Sequence, residues 1–204
     1  ALKLLALTVP GVPDLYQGSE IVVRSLVDPD NRRPVDWERV ASAVGHAREA
    51  NGPLLDGDED VAKARVVLAA LAARRAHRDG YLGRDTYRPL VAEGSGTDHL
   101  VAFVRGGETA TLVTRWTVRL ERQGGWGDTT VQLPDGRWTD AFTGAVHEGT
   151  VPVADVLRVD PIALPDLGPL IATLAAPGTV KVLHAARQDL EVLMPVAGLV
   201  TPVF

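Results

Sequence analysis

The sequence contains no cysteine and only one methionine in 204 residues. Without thiols there is no disulfide framework and no thiolate metal site, which fits a reducing compartment and makes cytoplasmic the expected location. No apolar run approaches the roughly 18 residues of a membrane span, so no membrane partner is expected. Positive charge is also in deficit: 21 Lys and Arg stand against 26 Asp and Glu, giving a net charge of -5. That balance argues against broad non-specific binding to nucleic acid, although a local basic patch is compatible with it. The first residue is Ala1 rather than methionine, and neither a basic leader nor a signal-type apolar core follows it. "ALKLLAL" reads as the end of a helix and "TPVF" as an apolar end just after a turn, so the expectation is a fragment of a longer protein.

What is present is ordinary for a soluble globular chain of one or two domains, 46% hydrophobic and 23% charged. Leu2 to Leu7 reads as a buried helix end, broken by Pro10, Gly11 and Pro13. "DLYQ" is short enough for a buried strand, and Gly18 opens the loop after it. Asp36 is a candidate N-cap for a helix with Trp37, Val40, Ala41, Val44 and Ala47 on one face. A second helix, capped by Asp58 or Asp60, carries Val61, Ala64, Val67, Leu68, Leu71 and Ala72, and Gly80 is expected to stop it. Arg74, Arg75, His77 and Arg78 suit its C-terminal end.

From Tyr87 the period falls to two. "HLVAFVR", "ATLVTRW", "DTTVQL" and "WTDAF" read as strands, with a last one near Val151 to Leu157. "RGGE" and "PDGR" read as hairpin turns between them. Beyond residue 158 the pattern becomes helix, strand, helix. The expected divisions are 1–84, 85–157 and 158–204.

Two dense runs carry the candidate chemistry, "PGVPDLYQGSE" and "DPDNRRP". A carboxylate-rich, glycine-bearing loop after a strand is the usual form of the C-terminal edge of a (β/α)8 barrel, where such loops build the site. An aromatic face, amides, carboxylates and Arg donors are what a sugar requires. The second run gathers three side-chain acceptors and two guanidinium groups in seven residues. The plainer reading is that Asp–Pro and Asp–Asn form turns and that Arg32 and Arg33 pair with Asp28 and Asp30.

"LKLLALTVPGVPDLYQGSE" followed by "SLVDPDNRRPVDW" resembles the C-terminal part of the maltooligosyltrehalose synthases, members of the α-amylase superfamily. The likeness continues through "ARRAHRDGYLGRDTYRPL", "GGWGDTTVQLP" and "WTDAFTGAVHEG", over residues 1–157. It implies isomerisation of the reducing-end α-1,4 linkage of a maltooligosaccharide to α,α-1,1, with an α-glucan as partner and no cofactor. A retaining exchange of this kind needs two carboxylates about 5 Å apart. In this superfamily they follow the middle barrel strands, which would lie upstream of Ala1, so no catalytic residue is assigned here. Tyr16, Gln17, Glu20, Asp28, Asp30, Asn31, Arg32 and Arg33 carry over as residues that bind or support substrate. The alternative is an α-glucan-binding module without turnover.

"VKVLHAARQDLEVL" resembles instead the ribonuclease D type of 3′–5′ exonuclease around its second motif. The likeness implies Asp189 as a metal ligand, with His184 and Arg187 in support, in a site that uses two divalent cations, Mg or Mn. The motifs before and after it are missing, so the metal site would be incomplete in this chain, and 3′–5′ exonuclease function through this segment stands as a further alternative. Asp189 serves as well as a helix N-terminal acid. His46, His77, His99 and His147 have no metal-ligand spacing and are expected to be exposed or capping. Trp116, Trp126 and Trp138 are expected in core or edge packing, with starch binding as the alternative. The fold class is therefore the α/β end of a (β/α)8 barrel with further helices, a small antiparallel β domain, and an α/β fragment. The unclosed barrel edge would cause self-association or local disorder.

Overall fold

A computed structural model describes residues 1–24, 34–54, 57–83 and 86–157. The helices come first. α1, Leu2–Thr8, ends at an extended Val9 just before Pro10, which supplies no N–H to prolong it. α2, Trp37–Glu49, starts where the Asp36 carboxylate accepts the Arg39 N–H. α3, Glu59–Ala76, starts where Asp58 accepts from Asp60 and Val61. Both carboxylates satisfy N–H groups that a helix start leaves free. The buried side of α2 is Val40, Ala43 and Ala47, with Trp37 and Ala41 exposed. That of α3 is Asp60, Ala64, Val67 and Ala70, with Leu71 and Ala72 at the surface.

Gly80 does not stop α3. The helix ends at Ala76, and Gly80 lies inside the short α4, Arg78–Leu82. Its role is close approach: a Cβ on Gly106 would stand 2.4 Å from the Gly80 Cα. The two glycines face each other where α4 meets the hairpin turn, and Gly106 also has φ +59°, which favours glycine.

The β region is three small antiparallel sheets rather than one. β1, Tyr87–Pro89, pairs with β3, Leu100–Arg105, which pairs in turn with β4, Thr109–Thr114. β2, Ala92–Glu93, pairs with β5, Thr130–Gln132, and β5 with β8, Thr150–Pro152. β6, Trp138–Thr139, pairs with β7, Val146–His147, and with no other strand among the described residues. "RGGE" is the hairpin turn of β3 and β4, with Arg105 opposite Thr109. "PDGR" is not a hairpin turn, because β5 and β6 belong to different sheets. The stretch after β8 turns helical as α6, Val153–Val156. α5, Thr117–Arg122, leaves the end of β4 through Trp116.

"DLYQ" forms no strand. A strand needs a neighbour for its backbone groups, and among the described residues none lies beside this segment. No closed barrel is present among them either.

The β core packs Ala102, Leu120, Trp126, Val131 and Val153 together. The Trp126 indole N–H donates to the Leu157 carbonyl at 2.7 Å. Trp138 is half-buried and donates to the Pro134 carbonyl at 2.8 Å. These two meet the expectation of packing, whereas Trp116 is 54% exposed. His99 is buried rather than exposed.

Helices and sheets are joined by Arg105, only 2% exposed. Its guanidinium donates to the Thr8 carbonyl at the end of α1 (3.1 Å) and to the Tyr81 carbonyl of α4 (2.8 Å). It also lies 5.2 Å from the centre of the Tyr81 ring. Arg74 reaches the neighbouring Leu7 carbonyl at 3.0 Å. The last carbonyls of a helix carry its negative pole, so cations are favoured there. Arg105→Ala leaves those carbonyls without a donor, and a loss of about 3 kcal/mol of unfolding free energy is expected in urea denaturation.

Candidate functional site

Two apolar anchors fix the loop that follows α1. Leu15 packs against Leu7, Val67 and Ala70, and Ile21 packs against Val40 and Ala43. The polar residues between the anchors are thereby held at the surface. A turn closes there through the Ser19 N–H to the Tyr16 carbonyl, 3.0 Å. Tyr16 and Gln17 are exposed on it. Gly18 has φ +76°, and a Cβ there would approach within 2.8 Å of the Val35 side chain. Both the backbone angle and the contact require glycine. Gly18→Ala is expected to lower stability by roughly 1 to 2 kcal/mol and to displace the turn, read by thermal unfolding and by Tyr fluorescence.

The far side of the loop is clamped by α3. The peptide group between Ile21 and Val22 is gripped at both ends. The Asp60 carboxylate accepts the Val22 N–H at 2.9 Å, and the Lys63 ammonium donates to the Ile21 carbonyl at 2.6 Å. Asp60 and Lys63 are three apart and so share one face of the helix. The other Asp60 oxygen accepts from Arg39 Nε of α2 at 2.7 Å. Arg24 adds an exposed ion pair to Glu59.

Asp60 is 7% exposed. Burial alone would raise its pKa, but the Val22 N–H and the Arg39 guanidinium outweigh it, and the carboxyl lies below the ordinary value. Burial lowers the Lys63 pKa, assisted by Lys3 and opposed by Asp60 and Glu20. Because the folded Asp60 pKa is depressed, its contribution is present above the unfolded value of about 4 and is lost as pH falls through the folded value. Asp60→Asn is therefore expected to flatten the acid limb of a stability-against-pH profile and to lower stability at pH 7. A variant that kept the wild-type acid limb would show that another group sets it.

Between the turn and the start of α2 lies a cleft of about 530 Å³. Tyr16, Gln17, Gly18 and Ser19 form one wall, Pro34, Val35, Asp36 and Arg39 the other, and Ile21 to Arg24 the floor. Arg24 and Pro34, which flank the segment 25–33, both line it. Asp28, Asp30, Asn31, Arg32 and Arg33 lie outside the described residues. So do Asp189, His184 and Arg187. Glu20 lies beside the cleft, with one carboxylate oxygen enclosed and without a partner among the described residues, as is the Ser19 hydroxyl.

Of the expected site residues, then, Tyr16 and Gln17 meet at one cleft wall, with Glu20 adjacent. Asp60, Lys63 and Arg39 were not anticipated as organisers of the loop. The available signal was the doubling of Asp58 and Asp60 where one cap suffices, with Lys63 following at helical spacing. Three of the nearby acids are committed: Asp36 caps α2, Glu59 pairs with Arg24, and Asp60 holds the loop, whereas Glu20 keeps an unpartnered oxygen. The cleft offers an aromatic ring, an amide and guanidinium donors to a polyhydroxylated ligand.

The architecture is thus a helical segment with an attached antiparallel β region, and the cleft lies in the helical segment. No family model matches the chain. A protein assigned as a maltooligosyl trehalose synthase in Mycobacterium tuberculosis, in strain CDC 1551 / Oshkosh and again in ATCC 25618 / H37Rv, is 50% identical over 167 residues. That match takes in 80% of this chain and 20% of the relative. The structure of maltooligosyltrehalose synthase from Arthrobacter ramosus aligns with a TM-score of 0.68 at 40% identity, over 76% of this chain and 20% of that one. A point mutant of the same enzyme gives 0.69 at 39% identity. The likeness to maltooligosyltrehalose synthases therefore extends over about four fifths of the chain, which spans about a fifth of the length of these relatives.

Proposed function

We propose that the chain is the C-terminal part of a maltooligosyltrehalose synthase and that its cleft supplies one wall of the α-glucan site. In the complete enzyme the reaction would be isomerisation of the reducing-end α-1,4 linkage to α,α-1,1. The observation that carries this reading is the 50% identity over 167 residues, 80% of the chain. The loop would be the end of the enzyme's barrel, its strand lacking here the neighbours that would pair with it. Tyr16 would lie against the C–H face of a glucose unit, and Gln17 and Arg39 would bond its hydroxyls. The two carboxylates of a retaining exchange would come from elsewhere in the enzyme, since Asp36, Glu59 and Asp60 are tied up in structure and Glu20 alone would not make the pair. Alone, the chain would bind maltooligosaccharide without converting it.

Titration with maltopentaose followed by product chromatography tests this. Saturable binding is expected, weakened about fivefold to tenfold in Gln17→Ala, the loss of one or two good hydrogen bonds, with no trehalosyl product. Formation of that product by the chain alone would place the catalytic carboxylates inside it and overturn the assignment. Absence of binding would overturn the role of the cleft.

A further inference from the structure

Trp116 breaks two local rules at once. Its φ is +53° and its ψ +48°, the left-handed region, where it is the one non-glycine residue with positive φ among those described. It also occupies the N-cap of α5, where its side chain makes no cap bond. A bulky residue is disfavoured in that conformation, and Ser, Asp or Gly would serve better as a cap. Such violations persist where the surroundings impose them, and they concentrate at sites of function.

The surroundings here do impose it. His99 is 2% exposed, and both ring nitrogens are engaged. Nδ1 donates to the Arg115 carbonyl at 3.2 Å, and Nε2 meets the Gln123 side-chain amide at 3.2 Å. The Arg115 N–H returns a bond to the His99 carbonyl at 2.8 Å, and Arg115 Nε donates to the Asp98 carbonyl at 2.6 Å. The imidazole edge also supports the indole at 6.1 Å. A buried polar network therefore fixes the turn that carries Trp116 outward, with the ring 54% exposed. The Arg115 guanidinium stands over the ring at 4.0 Å and that of Arg119 at 5.9 Å.

We propose that Trp116 with Arg115 is a surface platform for an α-glucan chain, separate from the Tyr16–Gln17 cleft. A pyranose would lay its C–H face on the open part of the indole and turn its hydroxyls to the guanidinium donors beside it. The competing stacked ligand is a single-stranded nucleic acid, which the two guanidinium groups beside the ring would also suit but the net charge of -5 opposes at longer range. The choice of glucan rests on the proposed function above.

The test is electrophoresis of the chain through native gels containing amylose, with a second series containing single-stranded DNA as the competing ligand. Trp116→Gly is the variant of choice because glycine suits the left-handed angle and the cap, so its Tm should equal or exceed that of the wild type. Retention of the wild type by amylose and about threefold to tenfold weaker retention of Trp116→Gly are expected, with Trp116→Phe intermediate. Gln17→Ala should leave the Trp116-dependent part of the retention in place. Equal retention of wild type and Trp116→Gly would overturn the platform while leaving the glucan reading standing. No retention of the wild type would remove both. Binding that depends on Trp116 only in the DNA gels would assign the ring to nucleic acid and overturn the proposal.

Discussion

Buried guanidinium groups paired with backbone carbonyls hold this chain together. Arg105 ends on Thr8 and Tyr81, Arg74 on Leu7, and Arg65 on Gly52 at 2.7 Å, Pro53 at 3.2 Å and Phe142 at 2.8 Å. None of these contacts is to a carboxylate. A guanidinium spreads its charge over five donors, so partial negative charges on several carbonyls can satisfy it where a compact ammonium could not be shared as widely. The carbonyls at the end of α1 suit it especially, because helix geometry leaves them unbonded and at the negative pole. Burial draws the Arg105 pKa down, yet the group stays charged at neutral pH. These contacts link α1, α3 and α4 to the β region, across sequence separations of 97 residues for Arg105 and 77 for Arg65.

The cleft depends on that frame in a definite order. Arg105 and Arg74 fix where α1 ends, and Pro10 prevents it from continuing. Leu15 then docks on the Leu7–Val67–Ala70 cluster, and Ile21 on Val40 and Ala43. With both anchors seated, Asp60 and Lys63 grip the peptide group between Ile21 and Val22. The loop needs no strand pairing, because side chains of α3 supply the partners that a neighbouring strand would otherwise provide. This explains how the loop keeps a defined shape without belonging to a sheet among the described residues.

How much of this was legible in the sequence follows the range of the interactions. Asp36 as a cap and the "RGGE" hairpin were readable because a cap or a tight turn is decided within four or five residues. "PDGR" has the same local chemistry, but the partner of β5 is β8, so a distant pairing overrules it. "DLYQ" has the residues of a strand and lacks a neighbour. "ATLVTRW" was read as one strand, whereas the backbone leaves β4 after Thr114 to enter a left-handed turn at Trp116. The peptide clamp was invisible for the same reason, since Val22 and Asp60 lie 38 residues apart. Motif likeness, by contrast, pointed to the same family as the relatives, because likeness of sequence does not depend on whether a stretch pairs as a strand.

His99 shows what the absence of a motif does and does not imply. It has no metal-ligand spacing, and an exposed or capping position was expected of it. Instead it is among the most buried polar residues, and both nitrogens hold a turn that costs conformational energy to maintain. A network satisfied this completely rigidifies what it touches. What it touches is the Arg115 backbone just before an exposed indole and the Gln123 side chain beyond the helix that follows. Core packing in this region is already provided by Trp126, whose ring is buried and whose N–H is bonded. Two tryptophans ten residues apart thus divide the work, one inward as structure and one outward on a rigid mount. A rigid mount matters for a flat aromatic contact, because a ring ordered in advance loses little entropy when a ligand settles on it.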